Sequence, residues 1–380
     1  MNITATKIGI VGGGQLGKMM ILEAKRLGSY VITLDPSANC PSASISDELI
    51  VASFDNQQAY FDLANKADVI TYEFEHVNAA ALEQLNKPVY PSVKSLKIIQ
   101  NKFLQKQALK AAGIPVPLFV SVQSIEHIKQ ASAALGYPMM LKTTTGGYDG
   151  YGNALIRDEA SIEAAYKKLG SGTKELMLEE FVPFEKEISI IACRGLDGAR
   201  VTYPVGENHH ENSILDMTIV PARIDGTAHK HASEVAEQVL ELFDGVGAFG
   251  VEMFVSADGQ VLVNEVAPRP HNSGHYTIEG CFANQFENHV RAITGLSLGS
   301  TELISPTVMV NLLGESDGEA QLLGAGEAYA QCPKLQLHFY GKPLSKRGRK
   351  MGHFTVVDAT LEGAIKNAQQ ARMLVRVVGK

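Results

Sequence analysis

The sequence predicts a chain of mixed α/β and α+β class: an N-terminal open parallel α/β domain, a central domain carrying a small flap subdomain, and a C-terminal small β-rich domain with a terminal helix. Three observations predict it. Residues 7–35 run strand, glycine turn, helix, strand; residues 250–267 form a hairpin that passes straight into a polar loop; and 380 residues exceed one ordinary core. A 45% hydrophobic and 20% charged composition fits a soluble globular protein, and the net charge of -7 argues against nucleic acid as a partner. The basic run Lys346-Arg347-Gly348-Arg349-Lys350 is a local exception. Cys40, Cys193, Cys281 and Cys332 lack metal-finger spacing and suggest no disulfide framework, as in a reduced cytoplasmic setting. No signal-peptide pattern or apolar run of membrane length is present, so no membrane association is expected.

In the first domain, strand 7–11 enters Gly12-Gly13-Gly14-Gln15-Leu16-Gly17, a helix reads over 18–27, and strand 31–34 ends at Asp35. The glycines match the dinucleotide pattern G-x-G-x-x-G with an acid near its expected place, which alone suggests an NAD enzyme. Their wider meaning is a turn whose amides suit any phosphate, including the substrate's, and Gln15 adds a side-chain donor. Strands at 49–52, 69–72 and 89–90 and helices at 57–65 and 78–85 continue the domain to about Pro91-Ser92. Tyr72-Glu73-Phe74-Glu75-His76 follows a strand, where open parallel sheets bind ligands; Glu73 suits ribose hydroxyls, or is a solvated loop acid.

The second unit opens with one long amphipathic helix, 96–112, containing Lys102 and stopped by Gly113-Ile114-Pro115. Strand 119–120, helix 125–135 and strand 138–142 lead to a loop with four glycines in seven residues, 146–152, preceded by Lys142. Such a loop wraps phosphates while the lysine supplies a point charge, although the G-K-[ST] ending of a P-loop is missing. Helix 162–169 and strand 176–179 follow, and 185–191 reads as that strand's partner; the connecting Glu179-Glu180-Phe181-Val182 suits an adenine ring. His209 and His210 are poorly spaced for tetrahedral zinc. After a helix at 232–242 comes the hairpin. With Val255 facing Gln260, Glu252 pairs with Val263 and Glu265 is its diagonal neighbour, so two carboxylates converge on a hard cation and Asn264 joins only if a twist turns it inward. Arg269, His271 and Asn272 crowd the next loop, and a helix reads over 282–294. Strands at 308–312, 336–339 and 352–356 and a helix at 361–375 form the last unit; Lys342, Arg349, Lys350 and His353 in or beside its turns fit an anionic small molecule.

Together, Lys102, Lys142, the Thr145-Gly146-Gly147-Tyr148-Asp149-Gly150-Tyr151-Gly152 flap, Glu179–Val182, Glu187 and Glu252 with Asn264-Glu265 resemble the nucleotide and magnesium set of the ATP-grasp superfamily. The segments 12–17, 146–150, 264–275 and 348–353 are similar to the branch that carboxylates 5-aminoimidazole ribonucleotide with ATP and bicarbonate in purine biosynthesis, and the likeness spans nearly the whole chain. The resemblance implies an ATP-grasp fold with a substrate domain at 1–98, an ATP-grasp domain at 99–295 with its flap subdomain at about 115–185, and a β-rich domain at 296–380. It implies ATP contacts from Lys102, Lys142, Gly147, Tyr148, Asp149, Gly150, Tyr151, Gly152, Asn153, Glu179, Glu180, Phe181, Val182, Glu187, His210, Asn264 and Glu265. Glu252 and Glu265 would hold magnesium, or manganese in its place. Gln15, Leu16, Glu73, Tyr148, Asp149, Lys342, Arg349 and Lys350 would bind the ribonucleotide. Arg269, His271 and Asn272 would guide bicarbonate, with Tyr148, Asp149 and Lys350 completing the catalytic group. Relatives often carry arginine at position 102, where lysine keeps the charge and loses bidentate geometry. A homodimer is expected from the resemblance alone. The alternatives are a related ATP-grasp ligase, such as a formate-dependent glycinamide ribonucleotide transformylase, and a non-catalytic nucleotide-binding module.

Overall fold

The first strand, Lys7–Val11, is buried from its second residue on, as a central parallel strand must be when helices cover both faces. The computed structural model describes residues 5–147 and 152–380. In it the first sheet is parallel, in the order Glu48–Val51, Tyr30–Asp35, Lys7–Val11, Val69–Tyr72, and Val89 adds only a bridge to Ile70. The first helix, Gln15–Arg26, starts earlier than its apolar spacing suggests, because Gly14 is its N-cap. Gly17 therefore sits inside the helix, where a Cβ would lie 2.6 Å from the Gly12 carbonyl oxygen.

Capping redraws the bounds of the 96–112 and 282–294 helices. The 96–112 helix is two, Val93–Ile99 and Lys102–Ala111. Asn101 leaves the helical region and its side chain accepts the Phe103 and Leu104 amides, which restarts the helix and puts Lys102 first in the new one. Asn284 likewise accepts the amides of Phe286 and Glu287, so the 282–294 helix starts at Gln285.

The flap subdomain is an antiparallel sheet, in the order Phe119–Val122, Leu176–Glu180, Met139–Thr143, Asn153–Ile156. Helices Ile125–Leu135 and Ile162–Lys168 close its own core around Ile128, Leu141 and Leu178. Phe184–Arg194 is not the partner of Leu176–Glu180: it leaves this sheet and pairs with Gly247–Ser256, because Val182 and Phe184 turn the chain between the two sheets.

That second sheet has nine strands. Its order is Val261–Ala267, Gly247–Ser256, Phe184–Arg194, Gly206–Glu211, Ile214–Val220, Thr307–Leu313, Lys350–Val357, Leu335–Phe339, with Arg200–Thr202 beside Phe184–Arg194. Strands from both sides of position 296 thus share one sheet, joined from Met217↔Val310 to Val220↔Thr307. The unpredicted strand Gly318–Leu323 pairs with Arg376–Gly379 and Leu344–Ser345; it is nowhere buried, so it carries no apolar alternation to read.

The hairpin register differs from the simple ladder. Val255 faces Val261 and Met253 faces Val263, but Glu252 faces Glu265, so Asn264 is the extra residue of a β-bulge. Val261–Ala267 is an edge strand, and the helix Lys102–Ala111 covers that edge: Gln105 exchanges two 2.9 Å bonds with the Val266 backbone, and the Lys106 ammonium donates to the Val263 carbonyl at 2.9 Å. The first domain docks through Leu16 and Met20 against Phe286, Val290 and Ile293. Buried His289 pins the same junction. The Ala248 amide donates to its Nδ1 at 3.0 Å, which leaves Nε2–H to donate to Thr71 Oγ1 at 2.8 Å.

Candidate active site

The flap sheet, the nine-stranded sheet and the first domain enclose a cleft of about 1300 Å³, large enough for a nucleotide and a second substrate. It is lined from end to end by residues expected from the sequence: Lys142, Gly147, Asn153 and Glu179–Val182 on the flap side; Glu187, His210, Glu252, Asn264 and Glu265 on the large sheet; Arg269, His271 and Asn272 on the loop after it; and Gln15, Leu16, Glu73, Lys342, Arg349 and Lys350 at the far end. Gly152 supports the strand pair, its carbonyl accepting the Thr143 amide. Tyr148, Asp149, Gly150 and Tyr151 lie outside the described residues.

On the flap side, Lys142 ion-pairs with Glu179, and the other oxygen of that carboxylate meets the Lys106 ammonium at 2.6 Å. Burial works against charge at Glu179, yet the two ammoniums hold its carboxyl down at about 2. Lys106, 3% exposed, shares one carboxylate with a second cation, and burial drops it to about 8. Lys106 was not singled out from the sequence; its position one turn after Lys102 on the same helical face is the available signal.

The bulge brings Glu252 and Glu265 directly opposite each other, with Asn264 on the same cleft. Burial, then the charge of Glu265, pushes the Glu252 carboxyl up to about 7. Lys102 does not line the cleft itself; its ammonium sits 2.6 Å from Glu265 Oε2. Among the described residues no group of three or more His, Cys, Asp or Glu gathers as a self-sufficient metal cage. Two mutually repelling carboxylates with an amide beside them form the hard, incomplete oxygen set that suits magnesium, which takes its remaining ligands from phosphates and water. Beside them the His210 imidazole contacts Glu187; burial opposes its protonation and Glu187 outweighs this, raising its pKa. The two residues lie on adjacent strands, and among the described residues no group of three His, Cys, Asp or Glu forms there to hold zinc.

On the following loop, Arg269 Nε lies 2.5 Å from Glu75 Oε2. Burial opposes charge here also, but Arg269 holds the Glu75 carboxyl at about 2. Burial, then Arg269 and Lys350, lowers His271 to about 3, so it is a neutral imidazole, 3.6 Å from Glu252. Asn272 exchanges both amide bonds with Asn311, at 3.0 and 2.8 Å, and so fixes the loop.

The first-domain glycine turn is a correction to the phosphate-nest expectation. Its amides are filled from within: Gly13 donates to Asp35 at 2.9 Å, Gly14 to Glu73 Oε1, and Gly17 to Glu73 Oε2 at 2.8 Å. A Cβ on Gly12 or Gly14 would stand 2.4 or 2.5 Å from the Glu73 side chain, so these glycines make room for a glutamate. Burial raises the Glu73 carboxyl, with the Gly17 and Gly14 amides opposing. The cationic end of the cleft is built by Lys342, whose ammonium donates to the Lys350 carbonyl at 2.7 Å, and Arg349, which donates to the Leu344 carbonyl at 2.9 Å.

A flap bearing Lys142 over a sheet bearing the opposed acids Glu252 and Glu265 defines an ATP-grasp protein, and a family model of the ATP-grasp domain matches residues 107–286. Models of the ribonucleotide synthetase preATP-grasp domain and the phosphoribosylaminoimidazole carboxylase C-terminal domain match residues 5–100 and 307–367. The N5-carboxyaminoimidazole ribonucleotide synthase of Staphylococcus aureus is 43% identical over 355 residues, 92% of each chain. The solved synthetase of Thermotoga maritima superposes with a TM-score of 0.91 at 46% identity, covering 99% of this chain and 100% of that one. The Aspergillus clavatus synthase in complex with ADP and 5-aminoimidazole ribonucleotide gives 0.90 at 34% identity, covering 98% and 99%. The chain belongs to the N5-carboxyaminoimidazole ribonucleotide synthase family.

Proposed function

We infer that the protein carboxylates 5-aminoimidazole ribonucleotide on its exocyclic amine, using ATP and bicarbonate and releasing ADP and phosphate, in purine biosynthesis. The observation that carries this reading is one cleft with Lys142, Glu252 and Glu265 at the end for a nucleoside triphosphate and Glu73, Lys342, Arg349 and Lys350 at the end for a ribonucleotide, with Arg269 and His271 between them.

Bicarbonate is a poor electrophile, so one of its oxygens first attacks the γ-phosphorus of ATP; the bond to ADP breaks and carboxyphosphate forms. Lys142 offsets charge on the triphosphate, held in place by Glu179, and Glu179–Val182 carry the adenine. Glu187 takes the ribose and His210 stands beside it. Magnesium, bound by Glu252 and Glu265 with Asn264 at the nucleotide, supplies charge compensation on the phosphates when present. Arg269 draws the bicarbonate anion, and neutral His271 adds no competing charge. The amine nitrogen then bonds to the carboxyl carbon of carboxyphosphate, or of carbon dioxide released from it in the closed site; phosphate leaves and the amine loses a proton. Glu73 accepts from the ribose, and Arg349, Lys342 and Lys350 take its phosphate. Tyr148 and Asp149 belong to this reading as the flap residues that exclude water and orient the amine.

In this reading residues 1–98 bind the ribonucleotide, 99–295 bind ATP through the flap at about 115–185, and 296–380 supply the basic turns. It also includes a homodimer and a cytoplasmic setting; no helix among the described residues is long and apolar enough to cross a membrane, and all four cysteines are buried and unpaired. The test is steady-state ADP release with Mg-ATP, bicarbonate and 5-aminoimidazole ribonucleotide, each omitted in turn, alongside trapping of labelled carboxylated product. Turnover that needs all three supports the reading; ADP formation that needs formate and another acceptor overturns it.

A further inference from the structure

Arg269 is held from another domain. Its Nε faces Glu75 Oε2 at 2.5 Å and its Nη1 donates to the Pro270 carbonyl at 3.2 Å, so two of the three guanidinium nitrogens are fixed by the protein. Glu75 lies on the loop after Val69–Tyr72 in the first domain, and both side chains are only 15% exposed. Gln100, at the end of helix Val93–Ile99, clamps that loop by donating to the Glu75 and Val77 carbonyls at 2.7 and 2.8 Å. A surface ion pair contributes little and is mobile; this one is largely shielded from solvent, bound through a planar guanidinium and braced behind the carboxylate, so it sets direction. The Glu75 carboxyl, held at about 2, remains ionised throughout the neutral range.

We propose that Glu75 is the positioning residue for Arg269, fixing its guanidinium from the first domain so that bicarbonate is aimed correctly only while the ribonucleotide domain is seated. The proposal rests on the reading of Arg269 as the bicarbonate-guiding group. Its functional consequence is coupling: the domain that carries the amine also orients the arginine that serves its co-substrate. Without the clamp, phosphoryl transfer loses its aim and carboxyphosphate formed apart from the amine hydrolyses.

The experiment compares Glu75→Gln, Arg269→Gln and the double variant, measuring the KM of each substrate and the ratio of carboxylated product to ADP. Glu75→Gln is expected to weaken kcat/KM for bicarbonate by about 10- to 100-fold, the cost of a misdirected group, while the KM values for ATP and the ribonucleotide stay near wild type. Product should fall below the ADP released. The double variant should be no worse than Arg269→Gln alone, since residues acting as a unit are non-additive. A wild-type bicarbonate constant for Glu75→Gln, a uniform change in all three substrates, or additive losses would overturn the proposal. If Arg269→Gln leaves bicarbonate kinetics intact, the reading of Arg269 fails; if Arg269→Gln is impaired and Glu75→Gln is not, only the proposal fails. Should Glu75→Gln not fold, Gln100→Met loosens the same loop and must give the same bicarbonate-selective defect in milder form, or the proposal falls.

Discussion

Replacing Glu252 with glutamine should stabilise the ligand-free protein at pH 8 and barely change it at pH 5. Glu252 is partly buried and directly opposes Glu265, and burial together with that charge moves its carboxyl from 4.5 to about 7. In the unfolded chain it ionises near its ordinary value. Between those two values the folded state holds a proton that the unfolded state has lost, so stability falls as pH rises through this window. The displacement corresponds to about 3 kcal/mol at pH 8, where both states are ionised, and to under ~1 kcal/mol at pH 5. Glutamine keeps the shape and cannot ionise, so it removes the penalty. Thermal or urea unfolding of the ligand-free wild type and Glu252→Gln at the two pH values reads this directly. The variant should melt several degrees higher at pH 8, and the two should nearly coincide at pH 5. A variant at or below wild type at pH 8, or one offset equally at both, would refute the opposed-carboxylate reasoning. The same variant should lose turnover, because the repulsion that destabilises the empty site is what a cation relieves.

Gly14→Ala would place a Cβ 2.5 Å from Glu73 Oε1; it should cost about 1–3 kcal/mol in unfolding experiments and raise the KM for the ribonucleotide while sparing that for ATP. Asn101→Ala removes the acceptor of the Phe103 and Leu104 amides; a loss of about 1 kcal/mol in urea unfolding is expected, with a raised KM for ATP because Lys102, which begins that helix, holds Glu265. His271, lowered to about 3 by burial and by Arg269 and Lys350, should show no titration of its carbon-labelled imidazole resonance in the neutral range; an inflection near its ordinary value would contradict the assignment.

Much of this is legible in the sequence. Lys7–Val11 and Val69–Tyr72 have the predicted bounds because continuous apolar runs between turns leave little choice, and the resemblance to the ATP-grasp superfamily joins Glu252, Glu265, Lys142 and Arg269, which line one cleft. What failed was what local pattern does not encode. The turn and a bulge each shift the pairing by one residue: Val255 meets Val261 instead of Gln260, and Asn264 is then the extra residue, so Glu252 meets Glu265 instead of Val263. Asn101 and Asn284 interrupt apolar periodicity that otherwise continues, and capping outweighed it. Glu75 is 194 residues from Arg269, and nothing in Tyr72-Glu73-Phe74-Glu75 separates the acid that fills the glycine turn from the one that clamps an arginine. The fingerprint at 12–17 misled for a physical reason: glycines that admit a pyrophosphate also admit a carboxylate, and Glu73 occupies the amides that a dinucleotide would need.

The central claim, that this cleft activates bicarbonate by phosphoryl transfer before it meets the amine, is tested most directly by the fate of oxygen. With bicarbonate labelled uniformly in oxygen-18, unlabelled Mg-ATP and 5-aminoimidazole ribonucleotide, the account predicts that the inorganic phosphate formed carries a bicarbonate oxygen, in step with label entering the carboxylated product. Phosphate free of the label, with carboxylation continuing, would mean that ATP is hydrolysed by water and that bicarbonate never receives its phosphoryl group.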